Sequence, residues 1–384
     1  MRFHIVGLPH TQTNLHHSAC AFTMKIYHFI QMMTSLGHEC IHYGVEGSEV
    51  ECDDIIIMSK EEQKRFFGPY NPEQLYNVDW SGKAEYWKLL NDRAAVEINK
   101  RSQKQDFVCI IMGTLNKSLH DKLTPNKTLT VEYGIGYNGT FSNYRVFESY
   151  AHMHKIWGAQ GSYDPDGKFY DSVIPNYLQP TDYPFQSKKD NYFLYLGRLI
   201  QRKGIHIAIE TCKRIGAKLI IAGQGCKEYN PQKHSLLCED GQYYQYDNME
   251  FVGFATGKKR ADLFSKTKAA FVPTIYIEPF GAVAIEAQMA GTPAITTDFG
   301  AFPETVEHGR TGFRCHTLNE FVTAANNVSN LNPYYIHKRA VNMYSMDKVR
   351  WRYQTYFQQL LDLWNNGWYA LHQEIDEFWL KGYR

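Results

Sequence analysis

Two glutamates eight positions apart, Glu278 and Glu286, frame the stretch of this 384-residue chain whose residue types are best suited to chemistry. Glu278 leads into Pro279-Phe280-Gly281, and Glu286 lies in an otherwise apolar run, read as a helix that stops at Gly291-Thr292-Pro293. A carboxylate inside such a helix is costly unless it has a partner. A turn at Gly281 leaves the first backbone N–H groups of the new helix free to meet an anion. Amides for phosphate and carboxylates for hydroxyls suit a bound sugar nucleotide. The plain alternative is a surface glutamate before a helix and a chance one within it.

A second group is Leu196-Gly197-Arg198 followed by Lys203-Gly204. A strand ends at Gly197, and two cations five positions apart precede a helix. Arg198 as a fork and Lys203 as a point charge can clamp a diphosphate. They stand where open α/β sheets hold ligands, at the carboxyl end of a strand.

Short apolar runs alternating with helical patterns place these groups on parallel sheets with crossover helices. In the first half the strand candidates are 3–6, 39–43, 54–58, 107–112, 129–132 and 155–157. Ala19, Phe22, Ile26, Phe29, Met33 and Leu36, spaced by threes and fours before Gly37, predict an amphipathic helix. Residues 60–104 are polar with interspersed aromatics, helical from about Ala84, and read as an elaboration lining a cleft. The prolines of 172–184 read as a linker. A second series begins at 192–196 and continues through 218–222, 249–252, 269–272 and 294–297, with 225–247 read as an inserted loop. From Met346 the spacing of Trp351, Tyr353, Tyr356, Phe357, Leu360, Leu361, Leu363, Trp364 and Trp368 predicts a long aromatic helix. The domains are therefore 1–175, 176–345 and a helical tail 346–384 that crosses back to the first domain.

Net charge is +1, and in residues 1–175 acids outnumber bases 20 to 17, so no broad field draws the chain to nucleic acid. Eight cysteines without a Cys-x-x-Cys pair read as reduced thiols of a cytosolic protein. Cys226, His234 and Cys238 match no zinc spacing. Neither a signal-peptide pattern nor an apolar run of membrane-spanning length is present. Asp164-Pro165-Asp166 reads as turn chemistry before Gly167, so no metal or other cofactor is expected.

Over roughly residues 190–315 the chain strongly resembles the family-four retaining glycosyltransferases of the two-Rossmann (GT-B) architecture. The resemblance rests on Leu196-Gly197-Arg198 with Lys203-Gly204, Ile221-Ala222-Gly223-Gln224-Gly225, Phe251-Val252-Gly253, Pro273, the span 278–286, and Gly300-Ala301-Phe302-Pro303-Glu304. Ile174-Pro175-Asn176 matches the usual interdomain entry. The resemblance implies an α/β fold of two Rossmann-like domains with parallel sheets facing a central cleft. It further implies transfer from a nucleotide-diphosphate sugar, UDP most commonly, to an acceptor hydroxyl.

By this resemblance Arg198 and Lys203 hold the diphosphate, and Glu278 with the amides of Phe280, Gly281 and Ala282 holds the transferred sugar. Glu286 takes the ribose hydroxyls, and Gly253 and Phe254 fall near the nucleobase. The family's glycine-rich loop after the first strand is reduced here to Gly7, which leaves His10 and Thr11 as acceptor-side candidates. Glu132, His152 and His154 compete for the place of the family's histidine near the reacting sugar. The 131–154 stretch is similar to glycosyltransferases carried by bacteriophages, some of which modify DNA bases. Glycan, lipid-linked, small-molecule and nucleobase acceptors stay open. So do a silent nucleotide-sugar-binding protein and a sugar-nucleotide epimerase of the same fold.

Overall fold

A computed structural model describes residues 1–71, 77–160 and 170–364. Asp164-Pro165-Asp166 and Trp368 lie outside these residues. The first sheet is wholly parallel and holds seven strands: β1 (Arg2–Val6), β2 (Glu39–Val45), β3 (Asp53–Met58), β4 (Asp106–Ile110), β5 (Thr128–Ile135), β6 (Tyr144–Phe147) and β7 (Asp171–Val173). Their spatial order is β3-β2-β1-β4-β5-β6-β7. Nearly every residue of β1, β2, β4 and β5 is buried, as expected of strands covered on both faces.

The second sheet takes β8 (Phe193–Leu196), β9 (Leu219–Ala222), β13 (Met249–Phe251), β14 (Ala269–Val272), β15 (Ala294–Thr297) and β16 (Gly312–Cys315). It is also parallel, in the order β13-β9-β8-β14-β15-β16. The expected inserted loop is instead a small antiparallel sheet of β10 (Cys226–Asn230), β11 (Ser235–Cys238) and β12 (Tyr243–Gln245). Its polar composition hid alternation, because only Ser235, Leu236 and Cys238 of its strands are buried.

One expected strand is wrong. Residues 155–157 lie in the helix Tyr150–Ala159, with Ser149 as its N-cap, accepting from the His152 N–H at 3.1 Å. The cap and the buried Met153 and Ile156 select the helical period over a short apolar run. The strands in this region are β6 and β7, and β7 occupies the start of the expected linker.

The helix Met346–Leu363 returns to the first domain. Its buried Val349, Tyr353, Tyr356, Phe357 and Leu360 join the core of β1, β4 and the helix Ala21–Ser35. Phe357 meets the edge of Phe3 at 4.7 Å and of Phe107 at 4.9 Å. Such aromatic pairs contribute about 0.5–1.5 kcal/mol beyond simple burial. All eight cysteines are free thiols, and among the described residues no helix is long and apolar enough to cross a membrane.

Candidate active site

Strands β8 and β14 are parallel neighbours, so the loops leaving their carboxyl ends meet at one edge. The first carries Arg198 and Lys203, the second Tyr276 and Glu278. Lys203 Nζ donates to Glu278 Oε2 at 2.7 Å, and both side chains are largely buried. Burial alone would lower the lysine, but Glu278 and Tyr276 outweigh it and hold the ammonium above its ordinary value. The Tyr276 ring lies under both Lys203 (4.9 Å) and Arg202 (5.0 Å). Arg198 is exposed, its carbonyl fixed by the Tyr195 hydroxyl at 2.9 Å. Lys203 is thus a charged group held in place by Glu278 and Tyr276.

Gly281 caps the helix Ala282–Met289 at φ 78°, where a Cβ would lie 2.6 Å from the Phe302 ring. Only glycine allows this turn, which frees the amides of the first helical turn. Phe280 contributes backbone alone, because its ring is buried among Leu178, Ile285, Met289 and Tyr344. Glu286 has partners that the sequence did not suggest. Arg260 pairs with both of its oxygens, and the Tyr183 hydroxyl donates to Oε1 at 2.8 Å. That pairing explains how a carboxylate is tolerated in an apolar helix. Gly253 holds φ 76° at the end of β13, and its carbonyl accepts the Gly223 N–H at 3.1 Å. Phe254 next to it is half-buried.

The first domain presents its own carboxyl edge. After β6 come Glu148 and Ser149. Lys25 Nζ lies 2.6 Å from Glu148 Oε1 and donates to the Gly134 carbonyl at 3.1 Å. Burial raises the Glu148 carboxyl, Lys25 opposes the rise, and the charge of Glu278 adds to it. The two edges touch. Ser149 Oγ donates to the Pro279 carbonyl at 2.6 Å, and Glu304 accepts the N–H groups of Tyr150 and Ala151 at 2.9 and 2.8 Å. A Lys–Glu pair from each domain therefore flanks the seam. Lys25, Glu148, Tyr276, Arg260 and Tyr183 had no local signal, since each is defined by a partner distant in sequence.

The remaining candidates separate. Glu132 is fully buried, and its Oε1 accepts from the Phe141 and Ser142 amides at 2.7 Å each, its Oε2 from the Tyr137 hydroxyl at 3.1 Å. It anchors the 137–142 loop instead of facing the cleft. His152 is also buried, with Nε2 3.0 Å from the Tyr137 carbonyl. His154 is exposed and lies at the surface between the tilted rings of Tyr150 and Trp157. Gly7 makes room for His42: a Cβ there would lie 2.9 Å from the ring nitrogen. His42 in turn bridges Asp54 (2.7 Å) and Thr13 (3.0 Å) and so braces the loop. His10 approaches Cys20 Sγ at 3.5 Å, and Thr11 bonds Thr23 at 2.6 Å, tying the loop to the helix Ala21–Ser35.

Residues 182–331 match the family described as glycosyl transferases group 1. The glycogen synthase of Mycobacterium tuberculosis is 34% identical over 153 residues, 38% of this chain and 36% of its own length. The chain thus spans little more than a third of that relative. Sucrose-phosphate synthase from Thermosynechococcus elongatus shares the fold, with TM-score 0.67 and 15% identity over 94% of this chain and 99% of that one. The pneumococcal O-GlcNAc transferase, solved with UDP and GlcNAc, superposes with TM-score 0.60 and 11% identity, over 94% and 99% of the two chains.

Proposed function

Because residues 182–331 match the group 1 glycosyl transferases and the chain has the GT-B fold, we propose that it moves a sugar from a nucleotide diphosphate, UDP first among the candidates, to an acceptor hydroxyl with retention at the anomeric carbon. The observation that carries this reading is the Lys203–Glu278 pair behind the Gly281 turn. Negative charge develops on the departing diphosphate. Lys203, Arg198 and the amides after Gly281 stabilise it where it forms, within a site already partly free of water. Glu278 orients the sugar hydroxyls and keeps Lys203 charged. The acceptor hydroxyl attacks from the face that the phosphate leaves, and a phosphate oxygen takes its proton. No protein nucleophile is required. The Ser149 and Glu304 contacts support a closed state that excludes water during transfer.

The test is a thermal-shift screen over nucleotide sugars, then product analysis by NMR with the best donor. Transfer with the anomeric configuration kept is the expected result. Binding without turnover would identify a silent sugar-nucleotide binder, and an altered free donor would identify an epimerase. Either outcome removes the transferase reading.

A further inference from the structure

The small antiparallel sheet of β10, β11 and β12 has no part in the chemistry described above, yet it brings two cysteines together. Strand register sets Cys226 of β10 directly opposite Cys238 of β11, beside a bulge at Lys227. Among the described residues no other two cysteines face each other across a ladder. Hydrogen bonds fix the kind of pair. The Glu239 N–H donates to the Gly225 carbonyl at 2.9 Å, so the neighbouring pair is the hydrogen-bonded one. Cys238 turns its own N–H the other way, toward β12, to the Gln242 carbonyl at 2.8 Å. Pairs alternate along an antiparallel ladder, so Cys226 and Cys238 form a non-hydrogen-bonded pair. The Cα atoms of such a pair stand about 4.5 Å apart with their side chains on one face. A disulfide spans roughly 4.4–6.8 Å between Cα atoms, so the ladder presents the two thiols ready to bridge.

A metal does not explain the pair. His234 Nδ1 lies 3.0 Å from the Met249 carbonyl, and among the described residues no three His, Cys, Asp or Glu side chains gather to hold an ion. The pair does stand next to the loop of Arg198 and Lys203. Gln224, two residues before Cys226, accepts the Leu199 N–H at 2.8 Å. Asp240, two residues after Cys238, accepts the Gln201 N–H at 3.0 Å. Both ends of the bridge therefore hold backbone of that loop.

We propose that Cys226 and Cys238 are a site of reversible disulfide formation, and that closing it stiffens the Arg198–Lys203 loop through Gln224 and Asp240. This inference is independent of the transferase reading. Cys226 is half-buried and Cys238 buried, so Cys226 meets the oxidant first. Its sulfur attacks a low-molecular-weight disulfide such as oxidised glutathione, and one glutathione thiolate leaves. Cys238 then attacks the Cys226 sulfur of the mixed disulfide and displaces the second glutathione. One protein disulfide forms, one small disulfide is reduced to two thiols, and the two cysteine protons pass to the departing thiolates. Burial, followed by the charge of Asp240, pushes the Cys238 thiol up to about 12, which keeps it inert until that intramolecular step.

The experiment treats the reduced full chain with oxidised glutathione, blocks the remaining thiols with iodoacetamide and digests with trypsin without reductant. Lys227 and Lys233 separate the two cysteines, so the bridge appears as one species joining two peptides. That species should dominate in wild type and vanish on reduction or in Cys226→Ser. Cys238→Ser should instead trap glutathione on Cys226. Hydrogen exchange over residues 197–204, followed by mass spectrometry, should slow at least threefold on oxidation of wild type and stay unchanged in Cys226→Ser. Glutathione remaining on Cys226 of wild type, a bridge from Cys238 to another cysteine, or no bridge overturns the site. A bridge that leaves exchange over 197–204 unaltered overturns its hold on the loop.

Discussion

Ser149 and Pro279 are joined across the interdomain seam by a 2.6 Å hydrogen bond, which sets their chain neighbours Glu148 and Glu278 on its two sides. Two carboxylates facing one another repel, and each is offset by a lysine of its own domain, Lys25 and Lys203. The seam is held by hydrogen bonds at its edge and left charged at its centre.

The first prediction concerns that seam. Glu304 places negative charge on the N-terminus of the helix Tyr150–Ala159, a contact expected to contribute about 1 kcal/mol. Glu304→Gln should therefore favour the open form by roughly fivefold. Small-angle scattering should show a larger radius of gyration without donor, and the donor KM should rise several-fold. An unchanged radius and KM would show that Glu304 does not control closure.

For the Lys203–Glu278 pair, stability and turnover should separate. Lys203→Met or Glu278→Gln leaves an uncompensated, largely buried group and should cost about 3 kcal/mol. Each should also reduce transfer by at least ~10²-fold, the usual cost of removing one preorganised charge or donor. The double variant should regain most of the lost Tm, because no charge is left unpaired. It should regain none of the activity. Recovery of turnover in the double variant would reduce the pair to a structural bridge.

The elements that carry the donor-side candidates were legible in the sequence because those residues lie in local patterns. Gly197 to Lys203 lie within one strand-to-helix connection, and Glu278 to Glu286 run from another into its helix, so residue type and spacing specify them. Partners brought together by the fold, Lys25 with Glu148 in the first domain and Arg260 with Glu286 in the second, are revealed by no spacing rule. What surrounds Glu132 is hidden from spacing for a related reason. A glutamate at a strand end before glycines is presented to a cleft only if the following loop does not fold back over it, and here residues 137–142 do. Residues 155–157 failed because three residues carry too little periodicity to oppose a capped helix.

Glu132→Gln tests the anchoring role. The carboxylate accepts three hydrogen bonds in a fully buried site, and an amide nitrogen cannot accept those on one side. A loss of about 2–3 kcal/mol is expected, read as a lower urea midpoint. Transfer per folded molecule should stay within a few-fold of wild type. A fall of 10³ or more at unchanged stability would return Glu132 to the chemistry.

Acid should destabilise the first domain well before its carboxylates titrate. Burial lowers His10 to about 3 and His17, His28 and His152 to about 4, so all four are neutral in the folded chain. Unfolded, each takes up a proton near pH 6.5. Between pH 6.5 and about 4 the unfolded state therefore binds more protons, and stability rises with pH across that window. The contribution is complete above pH 6.5 and is lost as the pH falls, at about 1.4 kcal/mol per pH unit for each histidine. Glu62 works in a lower window: Arg93 holds its carboxyl down to about 2, so its contribution fades only below the ordinary carboxylate range. Urea midpoints at pH 7, 6 and 5 read the histidines against an opposing contribution from Glu132 and Glu148, whose carboxyls burial raises. His28→Leu, at a buried position in the helix Ala21–Ser35, should flatten the profile by one histidine's slope. A wild-type midpoint constant from pH 7 to 5, or a slope unchanged in His28→Leu, would show that these rings accept protons without unfolding.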